Sequence, residues 1–183
     1  MGRDKALLLS RGRAQWRRQR DILRAAGAGE LLLSARPDQR WAPRAAGFTA
    51  VVRDPEPDRG PLAGIVAALE AAAHDRVAVL AIDLPRLPAC WIAELAAAAT
   101  ENRGVVGRRG RTFEPLAAVY PRRMLPLAHA ALARGDLALQ PLLRTAVDAG
   151  LMRVRRIAAR EVSWFTNWNT PALRRRGMSS GRE

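Results

Sequence analysis

The sequence predicts a three-layer, doubly wound α/β fold on a mostly parallel sheet, and three observations point there. Short apolar strand-like segments alternate with helical segments of about ten to fifteen residues, the signature of βαβ units. RVAVLAID, ending at Asp83, is an unbroken apolar run of the kind buried on both faces of a parallel sheet. Apolar residues make up 49% of the chain, and they are mainly Ala, Leu and Val, with only three Phe and one Tyr. That mixture suits helices laid on a sheet better than a β-sandwich.

The elements follow in order. GRAQWRRQRDILRAAG, residues 12–27, is an amphipathic helix with Trp16, Leu23 and Ala26 on one face and Gly27 as its stop. ELLLSA, from Glu30, is a short buried strand, and TAVVRD, ending at Asp54, is a second. The Pro-rich run DPEPDRG forbids regular structure, after which PLAGIVAALEAAAH starts a helix with Pro61 in its first turn. After the RVAVLAID strand, LPRLPACWIAELAAAA supplies two prolines and another helix. The order then loosens: GVVGR, a basic turn, RTFEPLAAVY as a strand, two helices between about Pro121 and Gly150, and the strand MRVRRI. No internal repeat or linker interrupts this series, so residues 1–173 form one expected domain. Residues 174–183 form a frayed basic tail.

Composition narrows the function classes. Cys90 is the only cysteine, which excludes an internal disulfide and a multi-cysteine zinc site and fits a reducing cytoplasm. The apolar runs Ala6–Leu9 and Val77–Ile82 are too short for a signal-peptide core or a bilayer span. A net charge of +14 favours polyanions without choosing among them. The arginines are dispersed over four stretches, beginning near residues 11, 107, 153 and 174, and aromatic residues are not interleaved with them as a base-stacking platform requires. A solvated basic surface accounts for them better than a dedicated nucleic-acid interface.

In an open α/β sheet, ligands bind beyond the carboxyl ends of the strands. Asp54, Asp83 and the pair Asn167 and Asn169 fall there. Asp83 is the sharpest, because a carboxylate ending an apolar strand is costly unless it is solvated, capping or holding a cation. A turn aspartate ahead of Pro85 explains the same position equally well. Asp58–Ile65, DRGPLAGI, feeds a helix through small residues, so backbone N–H groups there can meet a phosphate, although a plain tight turn fits too. Lys5 is the chain's only lysine. Just after Gly2 it is placed to meet nucleotide phosphates, while a mobile terminal lysine is the plain alternative. His74 and His129 have no second ligand at metal spacing, and no nucleophile–base constellation stands out.

Together these pieces resemble the molybdenum cofactor guanylyltransferases, the MobA-type branch of the nucleotidyltransferases with a Rossmann-like fold. MGRDKALL looks like the second half of that family's signature, L-A-G-G-x-S-x-R-M-G-x-D-K, and GPLAGI, IDLPRLP, FEPLAAVYP and NWNTPALR are similar to its later blocks. The likeness runs from residue 1 to about residue 174. It implies transfer of GMP from GTP to the phosphate of molybdopterin, with release of pyrophosphate. Carried across, Asp83 would hold Mg²⁺ and Lys5 would neutralise phosphate charge. Asp54 would lie in the nucleotide site, with Asp58 close enough to compete. Arg59, Gly60, Gly64, Asn167 and Asn169 would shape the side where molybdopterin arrives. The implied partners are GTP, the molybdenum cofactor and its carrier or acceptor proteins, in the cytoplasm.

Two departures bear on that reading. Arg36, in SARPD, falls where the family often carries an asparagine in the nucleotide site, which leaves a cytidylyltransferase for the same cofactor as an alternative. The first strand and Gly-rich turn of the signature are missing ahead of Met1. In the family's fold that strand lies between the ELLLSA and VAVLAI strands, so the expectation is a gap with unpaired backbone or a rearranged sheet. An enzyme whose start lies further upstream, a non-catalytic binding relative and a basic nucleic-acid module are the three functional expectations.

Overall fold

The computed structural model describes residues 4–10, 12–53 and 59–167. A short hairpin of β1 (Leu9–Ser10) and β2 (Arg13–Ala14) leads into α1 (Gln15–Ala25), and Gly27, with φ of 90°, turns the chain away as expected of a helix stop. Next come β3 (Leu32–Ala35), β4 (Ala50–Arg53), α2 (Gly60–Ala71), β5 (Arg76–Leu80) and α3 (Ala89–Ala98). The remainder is β6 (Gly104–Arg109), β7 (Thr112–Pro121), α4 (Leu125–Arg134), α5 (Leu139–Asp148) and β8 (Met152–Arg156), followed by a 3₁₀ segment over Ala159–Phe165. The basic tail lies outside the described residues.

Four strands form a sheet in the order β5-β7-β6-β8. β7 runs antiparallel to both neighbours, whereas β6 and β8 are parallel, so β5, β6 and β8 all point the same way. β3 and β4 form a separate parallel pair. The four-stranded sheet is therefore mixed rather than mostly parallel: three strands share a direction, but with β7 inserted between β5 and β6 two of its three ladders are antiparallel.

Helices cover both faces, giving the expected three layers. One core gathers Leu62, Leu69, Tyr120, Met124 and Leu143, from α2, β7, the start of α4 and α5. The other gathers Trp91, Ile92, Leu95, Val105 and Val119, from α3 and the opposite face of β6 and β7, with Ile22 of α1. Val105 and Val106 are both buried although they point to opposite faces, so this strand is covered on each side. Full burial of each such leucine or valine contributes about 1.5–3 kcal/mol.

The expected gap is present. β3 and β5 are not paired, and a cavity of about 1060 Å³ lies between them, lined by Leu32, Leu33, Ala78 and Leu80 and roofed by Leu23 and Ile65. Ala81 N donates to Leu116 O at 2.8 Å, and Arg122 N donates to Asp75 O at 2.7 Å. An antiparallel ladder alternates, so the peptide groups of Ala78 and Leu80 point away from β7 and into the gap. The RVAVLAID strand is thus shorter than its apolar run, ending at Leu80, and its hydrogen-bonded neighbour is the reversed strand β7.

Candidate functional site

The chain leaves β5 through a turn over Ala81–Leu84 that presents Asp83 at the carboxyl end of the sheet. Lys5 reaches the same place from a 3₁₀ turn, Lys5–Leu7. Its Nζ lies 3.9 Å from Asp83 Oδ2, and the two side chains keep 42% and 22% of their surface exposed. Solvent screens such a pair, so it adds little to stability. Its importance is positional, because a cation and a carboxylate meet next to Ala6 and Ile82, which line the cavity.

Asp4 organises the Lys5 turn. One carboxylate oxygen accepts from Ala6 N at 3.0 Å, while the other accepts from Trp41 Nε1 at 2.6 Å and Gln39 Nε2 at 3.0 Å. Burial works against ionisation of this carboxyl, but the hydrogen bonds from Trp41, Ala6 and Gln39, with the Arg36 charge nearby, hold it below the ordinary value. Trp41 in turn stacks on Trp16 of α1 at 6.1 Å between ring centroids. The Asp83 turn is held from α1 as well: Gln19 Nε2 donates to Ala81 O at 2.7 Å and Leu84 O at 3.0 Å, and Arg18 Nε to Pro85 O at 2.7 Å.

The other expected residues distribute unevenly. Gly60 and Gly64 line the same cavity as Ala6 and Ile82, at the start of α2. Arg59 precedes them, and its Nη1 donates to Leu132 O of α4 at 2.8 Å. Asn167 follows the 3₁₀ segment that continues from β8. Asp54, Asp58 and Asn169 lie outside the described residues. Trp164 and Phe165 pack edge-on against Trp91, with centroids 6.5 and 5.0 Å away, as core-packing aromatics should. His129 has a carboxylate neighbour in space, its Nε2 lying 3.0 Å from Glu70 Oε1 on α2, which sequence spacing did not reveal.

Sequence reasoning missed Asp4, Arg18, Gln19 and Trp41. A signal for Gln19 existed: α1 buries Gln15, Trp16, Gln19 and Ile22, so two amides stand on a face that periodicity reserves for apolar residues. Gln15 Nε2 and Oε1 and Gln19 Oε1 are buried without partners.

A second cluster fastens the Ala159–Phe165 segment. Arg155 bonds Glu94 through Nε at 2.9 Å and Nη2 at 2.8 Å, bonds both oxygens of Glu161, and stacks 4.3 Å above the Trp91 ring. Glu161 is 3% exposed and also accepts from Ala158 N at 2.9 Å. The Arg155 hydrogen bonds pull its carboxyl down to about 2, against the cost of desolvation.

Among the described residues, no group of three or more His, Cys, Asp or Glu side chains is arranged around a metal position. No described helix is long and apolar enough to cross a membrane. Asp83 as a single hard-oxygen donor at an open position fits Mg²⁺, which is commonly held by one or two carboxylates together with substrate phosphates.

Solved structures agree on this α/β fold. A nucleotidyl transferase from Methanothermobacter superposes with a TM-score of 0.72 at 20% identity, covering 94% of this chain and 82% of that one. The molybdopterin-guanine dinucleotide biosynthesis protein A of Archaeoglobus fulgidus gives 0.70 at 19% identity, covering 94% and 88%. Residues 1–153 match the MobA-like NTP transferase domain, and the chain belongs to that family of enzymes. A probable molybdenum cofactor guanylyltransferase of Opitutus terrae is 40% identical over 179 residues, covering 96% of this chain and 87% of the relative. The molybdenum cofactor guanylyltransferase of Pseudomonas entomophila is 31% identical over 174 residues, covering 94% and 87%.

Proposed function

We propose that this protein transfers GMP from GTP to the phosphate of molybdopterin. A molybdopterin phosphate oxygen forms a bond to the α-phosphorus of GTP, the bond from that phosphorus to the bridging oxygen breaks, and pyrophosphate leaves. The approach of Lys5 to Asp83 at the carboxyl end of β5 carries this reading. A phosphate nucleophile is already ionised at neutral pH, so the reaction needs alignment and charge neutralisation rather than a general base.

Lys5 contributes a cation against the triphosphate. Asp83 would hold Mg²⁺, which when bound neutralises charge on the phosphate oxygens. Asp4 and Trp41 hold the Lys5 turn in place. Asp54 is assigned to the nucleotide side, and Arg59, Gly60, Gly64, Asn167 and Asn169 to the acceptor side, by the family resemblance. Guanine preference rests on the names of relatives that share 31–40% of the aligned residues.

The test is an incubation of the protein with Mg²⁺, molybdopterin and α-labelled GTP, CTP or ATP, followed by chromatography of the products. Labelled dinucleotide and pyrophosphate from GTP are expected. Product from CTP alone would reassign the base, and no product from any nucleotide would refute the transfer.

A further inference from the structure

We infer that Gln19 is a positioning residue for Asp83, acting through the turn that carries it. This rests on the reading of Asp83 as the metal- and phosphate-facing carboxylate. Asp83 sits in the middle of a four-residue turn whose ends are Ala81 and Leu84. The backbone bond that follows this turn runs from Leu87 N to Leu84 O at 3.4 Å. The side-chain amide of Gln19 ties both ends of this turn to α1. Its two hydrogens serve two carbonyls, Ala81 O at 2.7 Å and Leu84 O at 3.0 Å, which bracket Ile82 and Asp83. Arg18, the preceding residue of α1, adds a third tie at Pro85 O.

Burial and chemistry both separate this amide from ordinary helix packing. Gln19 is 5% exposed, and its Oε1 is buried without a partner. A leucine would fill that space and carry no orphan oxygen, so what the amide adds is its pair of donors. A glutamate would lose both donors and set a negative charge against two carbonyl oxygens. The constraint also links two expected site residues. α1 begins one residue after β2, and Gln15 N donates to Leu8 O at 2.9 Å in the segment that carries Lys5. One helix therefore fixes the turn of Asp83 at Gln19 and the approach of Lys5 at Gln15. Partners that orient a metal-binding or catalytic group without touching the substrate commonly contribute about 10- to 100-fold to affinity or activity.

The experiment compares Gln19→Met with Gln15→Met, which removes an equally buried amide, one turn earlier, that makes no side-chain hydrogen bond. Amide hydrogen exchange is followed at residues 82–87 and in β6 and β7, and Mn²⁺ affinity is measured by electron paramagnetic resonance with GTP present. In Gln19→Met, exchange at 82–87 should accelerate about tenfold or more and Mn²⁺ should bind about tenfold more weakly, with β6 and β7 unchanged and Gln15→Met showing neither effect. Unchanged exchange at 82–87, the same acceleration in Gln15→Met, or exchange raised throughout the sheet would each overturn the inference. So would unaltered Mn²⁺ binding in Gln19→Met if Asp83→Ala abolishes it. If Asp83→Ala itself leaves Mn²⁺ binding intact, the metal reading of Asp83 fails, and exchange at 82–87 alone decides whether Gln19 sets this turn.

Discussion

The carboxylate of Asp4 accepts a 2.6 Å hydrogen bond from the indole of Trp41, joining the segment that carries Lys5 to the loop that follows β3. Asp4→Ala removes the acceptor for Trp41, Gln39 and the Ala6 amide at once. Because hydrogen bonds to a charged group are worth more than neutral ones, a loss of about 2 kcal/mol is expected, read as a lower Tm. Weaker GTP binding by calorimetry should accompany it. The carboxyl is held below its ordinary value of 3.8, so its stabilisation is complete above that pH and fades as pH falls below it.

Lys5 and Asp83 should behave as a coupled pair in kinetics. Asp83→Ala is expected to lower kcat by roughly 10³ and Lys5→Met by roughly 10² with GTP and Mg²⁺. Because the two groups lie 3.9 Å apart, the double variant should lose less than the product of the single losses. Steady-state rates for the four proteins check this, and strict additivity would show that the residues act independently.

Arg155 joins Glu94, Glu161 and the Trp91 ring in one cluster. Arg155→Ala leaves Glu161 buried without its partner and should cost about 3 kcal/mol in urea unfolding. The pH dependence follows from Glu161, whose carboxyl falls from 4.5 in the unfolded chain to about 2 in the fold. Its contribution is fully present above 4.5 and disappears as pH drops toward 2. Glu161→Gln should flatten the stability profile across that window.

Gly104 is expected to tolerate no side chain. A Cβ there would stand 2.3 Å from the backbone oxygen of Val119, which the β7 ladder holds in place. Gly104→Ala should therefore destabilise by about 3 kcal/mol, more than an exposed glycine such as Gly29, whose Cβ meets nothing within 4 Å. Thermal melts of the two variants compare them directly.

The helices and most strands were legible from apolar periodicity, as in α2, where Leu62, Ile65, Val66 and Leu69 are buried; on α1 Trp16 is buried as expected, Leu23 and Ala26 are half-buried, and Ile22 completes the covered face. The reversed direction of β7 was not legible. TFEPLAAVYP reads as a buried strand whichever way it runs, and only its hairpin with β6 sets the direction. Lys5 and Asp83 were visible as residue types at strand and chain ends, but their separation is a tertiary quantity. Gln19 was hidden for a different reason, since a glutamine in an Arg-rich helix looks solvated until the fold buries it.

The break between β3 and β5 changes how the molecule should come apart. No backbone ladder carries cooperativity across it, so the β3–β4 pair is tied to the remaining sheet through side-chain packing and the hydrogen bonds of α1. Two unfolding units are the expected outcome, one reported by Trp41 beside β3 and the other by Trp91 under β7. Denaturation followed by quenching of each tryptophan singly should give two midpoints, the Trp41 unit opening first. A protein that melts in this order loses its Lys5 arm while Asp83 still stands on an intact β5–β7 ladder.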